Sequence, residues 1–141
     1  MRDLHNSILL KQVISPDEGA GDNTAKVGTI IDRQGYEALE FLIATGTLAD
    51  ADATFTVLVE EGDESDLSDN AAVADADLLG TESDASFNYG DDDEVRKIGY
   101  KGSKRYVRLT ITPASNTGAW DISAVAILGS PALAPPVQSA S

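Results

Sequence analysis

Phe55-Thr56-Val57-Leu58-Val59 puts Phe55, Val57 and Val59 on one face of an extended chain, with Asp52 before it and Glu60-Glu61-Gly62 after it. Side chains on a strand alternate faces with a period of two, so the run reads as a half-buried strand. The same period appears on either side of it. In Tyr36 to Thr45 (YEALEFLIAT), Leu39, Phe41 and Ile43 point one way and Glu40 the other. In Tyr106 to Thr112, Val107, Leu109 and Ile111 oppose Tyr106, Arg108, Thr110 and Thr112, and Pro113 is expected to end the strand because it has no N–H to donate.

Weaker strands are expected at Ser7 to Ile14, Lys26 to Ile31, Ser86 to Tyr89, Val95 to Tyr100 and Trp120 to Leu128. In the last, Ile122, Val125 and Ile127 break clean alternation, which suggests a bulge or a strand buried on both faces. Turn chemistry separates these runs: Pro16-Asp17-Glu18-Gly19, Gln34-Gly35, Glu61-Gly62-Asp63, Gly90-Asp91-Asp92, Lys101-Gly102 and Asn116-Thr117-Gly118. About eight short strands with no helical layer predict an all-β, single-domain antiparallel sandwich, jelly-roll or immunoglobulin-like. Ser65 to Gly80 is rich in Ala and Asp and reads as a long excursion over the sandwich, with room for one helical turn opened by Ser65 or Ser68. The expected layout is an N-terminal arm or edge strand over 1–15, the sandwich over 16–128, and an extended C-terminal arm over 129–141. That last stretch (GSPALAPPVQSAS) carries three of the five prolines and no charged side chain.

Composition narrows the function. The 141 residues suit one domain with an ordinary core, and there is no cysteine for a disulfide, a thiolate metal site or a Cys nucleophile. The first residues lack a basic segment followed by an apolar one, so no signal peptide is expected. Twenty-four acidic residues against ten basic ones give a net charge of −14, which repels phosphate backbones and anionic lipid; no nucleic acid and no membrane are expected as partners. The single histidine, His5, sits in a polar lead-in, and no nucleophile elbow, phosphate loop or dinucleotide fingerprint occurs. The acidic runs Glu61-Gly62-Asp63-Glu64 and Asp91-Asp92-Asp93-Glu94 lack the spacing of a calcium loop and read as solvated turns. The expectation is no enzyme, no cofactor and no metal.

Positive charge is concentrated. Arg96, Lys97, Lys101, Lys104, Arg105 and Arg108 are six of the ten basic residues. If 95–100 and 104–112 pair as a hairpin, they form a basic stripe on an acidic body, a docking edge for an acidic partner. The plainer reading is pairing with local carboxylates.

Several stretches together resemble a known group: Asp22-Asn23-Thr24-Ala25, Ile30-Ile31-Asp32, Gly35-Tyr36-Glu37-Ala38-Leu39-Glu40-Phe41, Ala53-Thr54-Phe55, Val59-Glu60-Glu61-Gly62, Asp75-Ala76-Asp77-Leu78-Leu79-Gly80, Arg105-Tyr106-Val107-Arg108-Leu109-Thr110, Ala124-Val125-Ala126-Ile127-Leu128-Gly129 and Pro131. The series resembles small structural proteins, decoration or cement-like, encoded in the head-gene region of tailed phages and prophages. The resemblance implies a β-rich protein on the outer surface of an assembled head. It would be a homo-oligomer, with a trimer favoured, bound to the major capsid protein and assembled in the host cytoplasm. Contacts are expected from the arms (Leu4 and Ile8; Pro131, Leu133, Pro135, Pro136 and Val137) and from the basic residues Arg96, Lys97, Lys101, Lys104 and Arg105. The alternatives are a tail or head–tail connector protein, and a carbohydrate-binding sandwich using an exposed Trp120 or Tyr36.

Overall fold

The computed structural model describes residues 2–19 and 21–137, the side chains of Asp17 and Glu18 excepted. Among these residues, eleven strands form two antiparallel sheets packed into a β-sandwich. In chain order they are β1 (Ile8–Gly19), β2 (Lys26–Val27), β3 (Ile31–Asp32), β4 (Tyr36–Leu48), β5 (Thr54–Gly62), β6 (Ala71–Ala72), β7 (Leu78–Leu79), β8 (Phe87–Asn88), β9 (Val95–Tyr100), β10 (Tyr106–Ala114) and β11 (Trp120–Pro131). The first sheet runs β1-β11-β4-β9-β7. In the second, β10 and β5 pair along their whole lengths, and each outer edge is made of two short pieces: β2 and β3 along β10, β6 and β8 along β5.

The alternation in the sequence builds the core directly. Leu39, Phe41 and Ile43 of β4 and Ile98 and Tyr100 of β9 face Phe55, Val57 and Val59 of β5 and Val107, Leu109 and Ile111 of β10, all of them buried. Trp120 stacks on Phe55 with ring centres 5.0 Å apart, and Phe55 stacks on Phe87 at 4.9 Å, so an aromatic column crosses from one sheet to the other. Gly19 lies opposite Trp120 in the β1–β11 ladder, and a Cβ there would run into the indole ring. Gly19→Ala is therefore expected to cost about 1–3 kcal/mol through overpacking, read as a lower midpoint in urea unfolding.

Several expectations need correction. There are eleven strands rather than about eight, and β1, β4 and β11 are long, at 12, 13 and 12 residues. Pro16 to Gly19 does not turn. It continues β1 beyond register shifts near Val13 and Pro16, because bulges absorb residues that would otherwise break the ladder. The stretch read as one strand from Lys26 to Ile31 splits at Gly28 to Ile30 into two pieces that both pair with β10, because between them the chain also bonds to the edge of the other sheet. There the Gly28 amide donates to the Leu109 carbonyl (2.8 Å) and the Thr29 amide to the Val13 carbonyl of β1 (2.9 Å). Strand β10 runs on through Pro113 to Ala114; β2 pairs only Thr110 and Ile111, so beyond them β10 is an edge on that side, where proline is tolerated.

In β11 the inward row is Trp120, Ile122, Ala124, Ala126 and Leu128, so alternation is kept, with alanines in the buried places. Within 65–80 the helical turn is a 3-10 turn at Asp75–Asp77 and is not opened by Ser65 or Ser68; an α-helical turn follows. It is α1 (Glu82–Ala85), where the Thr81 hydroxyl accepts the Asp84 amide (3.0 Å) as an N-cap. The Glu82 carboxylate accepts the Val59 amide (2.7 Å) and the Ser86 hydroxyl the Val57 amide (3.0 Å), which closes the open edge of β5 between β6 and β8.

Candidate functional site

The two ends of the described chain leave the sandwich together. Ile8 at the start of β1 pairs with Gly129 near the end of β11, and Pro131 pairs with Tyr36. Both halves of the expected arms are thus partly strand: 8–15 belongs to β1, an edge strand, and 129–131 to β11. Ahead of β1, a short 3-10 turn (His5–Ser7) is tied by Asp3, whose carboxylate accepts the backbone amide (3.0 Å) and side-chain amide (2.6 Å) of Asn6. These bonds hold the Asp3 carboxyl below its usual range. Past β11, the Ala132 amide donates to the Gly35 carbonyl (2.8 Å), and the chain then runs out along the surface. Leu4, Leu133 and Val137, on the segments that flank the β1–β11 pairing, are 59%, 86% and 87% exposed. Ile8, Pro131 and Pro136 are half-buried there, and Pro135 is exposed. Met1 and the end of the arm from Gln138 to Ser141 lie outside the described residues.

The basic residues are dispersed. Strands β9 and β10 do not form a hairpin: β9 pairs with β4 and β7 in the first sheet, β10 with β5, β2 and β3 in the second, and Lys101 to Arg105 crosses between the sheets. No continuous basic stripe results. Arg96 binds Asp91 (3.0 Å) and Glu94 (2.7 Å), Lys104 binds Asp63 (2.7 Å), Arg105 forks onto both oxygens of Asp32 (2.8 and 2.9 Å), and Arg108 binds Glu60 (3.1 Å). Lys97 lies near Glu40, whose carboxyl is raised by desolvation despite that neighbour. Lys101 and Glu40 line a hollow of about 250 Å³ with Ala38, Leu79, Ile127 and Gly129.

The acidic runs act as turn scaffolding. The Asp91 carboxylate accepts the Asn88 amide (2.9 Å), Asp92 accepts the Leu48 amide (3.1 Å), and Asp69 accepts the amides of Asp63 (2.8 Å) and Glu64 (3.2 Å). Among the described residues no three His, Cys, Asp or Glu side chains are grouped to hold a metal ion. His5 stands on the exposed N-terminal turn. Trp120 is 1% exposed and Tyr36 packs against the core, so Trp120 offers no platform for a sugar ring.

Sequence reasoning did not anticipate the character of the first sheet's outer face. Reading across the ladders, one row is Leu10, Ile127, Glu40, Gly99 and Leu79; the next is Gln12, Val125, Leu42 and Lys97; flanking pairs are Gly129–Ala38 and Ser123–Ala44–Val95. The second sheet's outer face is more polar, carrying Thr54, Thr56, Glu60, Arg108, Thr110 and Thr112 around Leu58. The only hint in the sequence was that 120–128 is apolar at successive positions.

No family model matches the chain, and no curated protein matches it. Among solved structures, one described as the structure of infectious bursal disease virus Gx strain overlaps it with a TM-score of 0.41 and 9% identity. That match covers 87% of this chain and 32% of the other, so the chain spans about a third of its length. An overlap this loose carries no argument about function.

Proposed function

We propose that the chain is a non-enzymatic structural subunit of a virus particle, a decoration protein of a tailed-phage head that binds the major capsid protein on the outer surface of the shell. The observation that carries this reading is the corner where both chain ends emerge side by side, on segments that carry the exposed Leu4, Leu133 and Val137. Extended segments with apolar side chains can add to a partner's sheet or fill a groove, and paired arms bind as a unit. The acidic body supports the same reading, since copies crowded on one particle repel one another rather than aggregate. The resemblance to head-region phage proteins supplies the station on the particle. Such a protein would work on the virion surface after assembly in the host cytoplasm.

Removal of residues 132–141 tests it. The segment's only described tie to the body is the Ala132–Gly35 hydrogen bond, so its loss should lower stability by no more than about 1 kcal/mol. Binding to undecorated heads should fall at least about 100-fold, as expected when one of two linked contacts is lost. Leu133→Asp with Val137→Asp should reproduce much of that loss without shortening the chain. Wild-type occupancy of heads by the truncated protein would overturn the role given to this corner.

A further inference from the structure

The outer face of the five-stranded sheet differs in kind from the rest of the molecule. Its central positions are Leu10, Ile127, Val125, Leu42, Ala44 and Leu79, and the charges in those rows are Glu40 and Lys97, which cancel on a chain of net charge −14; Glu37, Lys101 and Asp121 lie toward the ends of the face. Leu10 is 44%, Leu79 50% and Val95 69% exposed. The hollow of about 250 Å³ lined by Ala38, Leu79, Ile127 and Gly129 with Glu40 and Lys101 opens on this surface. A sheet face that only met water would carry polar side chains at alternate positions, as the opposite sheet largely does with Thr54, Thr56, Glu60 and Thr112 around Leu58.

We infer that this face packs against the same face of a second copy of the chain, in a twofold pair that sets Glu40 of each copy against Lys97 of the other. Charge placement and size favour a second copy over another occupant. The face's central acid and base sit diagonally, two residues apart in register (Glu40 opposite Gly99, Leu42 opposite Lys97), so a twofold axis midway between them sets Glu40 of each copy against Lys97 of the other. With strands ~4.8 Å apart and ~3.3 Å per residue, the face measures roughly 20 by 25 Å, or about 500 Å². A pair therefore buries about 1,000 Å², the lower limit for a specific interface. A surface that matches itself closes with twofold symmetry, so the pair replaces the trimer that the phage resemblance implies. The inference does not rest on the head-binding reading: its contacts are on the sheet face, and the terminal corner stays exposed in the pair.

The test measures the mass of the full chain by sedimentation equilibrium from about 1 to 100 μM, without capsids. A mass rising to twice 14.8 kDa is expected. Glu40→Lys and Lys97→Glu, each checked for a native circular dichroism spectrum, should separately weaken pairing at least about 10-fold through like charges across the interface. An equimolar mixture of the two variants should recover pairing, because every cross-interface contact is again between unlike charges; a purely internal Glu40–Lys97 interaction gives no such recovery. A wild-type mass of one chain at 100 μM, a trimer, or a mixture that stays monomeric would overturn the inference. Head binding by a chain that proves monomeric would leave the capsid reading standing.

Discussion

Trp120→Ala is expected to cost about 3–5 kcal/mol of folding stability, a large share of what a domain of this size possesses. Trp120 is 1% exposed, its ring stacks on Phe55 at 5.0 Å, and the Lys26 ammonium lies 4.9 Å from the ring centre at its outer side. Truncation would leave a void bounded by Phe55 and by Gly19, whose missing side chain already makes room for the indole. A backbone glycine in a ladder has no side chain to swing into that void, so the surroundings collapse poorly and the cavity cost adds to the lost transfer energy. Trp120→Phe keeps the stacking and should recover more than half of the loss. Guanidinium unfolding measures both. Because Trp120 is the only tryptophan, its emission in the wild-type chain should be that of a ring shielded from water and should shift to the red on unfolding. A loss below about 1 kcal/mol for the alanine variant would contradict the aromatic column as the link between the sheets.

Arg33→Ala is the second large effect, expected at about 2–3 kcal/mol. The loop from Lys101 to Arg105 crosses between sheets without strand partners, and Arg33 holds it. Its Nε donates to the Lys104 carbonyl (2.9 Å) and its terminal nitrogen to the carbonyls of Lys104 (2.7 Å) and Gly102 (3.0 Å). The guanidinium also sits 4.8 Å from the Tyr100 ring centre. The Tyr100 hydroxyl donates to Glu61 and accepts the Lys104 amide (3.0 Å). Removing Arg33 leaves two carbonyls of the crossing without their donor and strips one side of the tyrosine. Arg33→Lys should recover only part of the loss, since an ammonium cannot fork onto two carbonyls in the same plane.

The same network gives a pH signature. Burial and the bond to Glu61 push the Tyr100 hydroxyl up from about 10 to about 12. The folded chain thus holds a proton that the unfolded chain releases near its ordinary value. Stability from the protonated tyrosine is complete below pH 10 and declines as pH rises through the window from 10 to 12. Tyr100→Phe should flatten this part of the stability–pH curve. An equal alkaline decline in that variant would show that other groups cause it.

Much of the sandwich was legible because β4, β5 and β10 carry large apolar side chains at every second residue, and a period of two has one structural reading. Strand β11 was harder: its buried row includes Ala124 and Ala126, while the bulkier Val125 and Ile127 point outward, so size misled where position decided. The same inversion hid the apolar outer face. The basic stripe failed for a different reason. Lys101-Gly102-Ser103 has the composition of a hairpin tip, but turn chemistry reports that the chain bends, not which sheet the next strand joins. Pairing of β9 with β4 and of β10 with β5 is set by contacts 44 to 61 residues away in sequence, beyond the reach of any local pattern. The C-terminal segment was readable in composition, from the prolines and uncharged residues after 129, but its start beside the start of β1 follows only from the β1–β11 ladder.

The central claim, that this chain decorates a phage head, is tested most directly by co-sedimentation of the full chain with expanded, undecorated heads of its own phage, counting copies per shell. Saturation at a fixed number of copies, with the shells gaining resistance to heat or low salt, is the predicted result. Protein that stays in the supernatant at concentrations well above those of the shells' binding positions would contradict it.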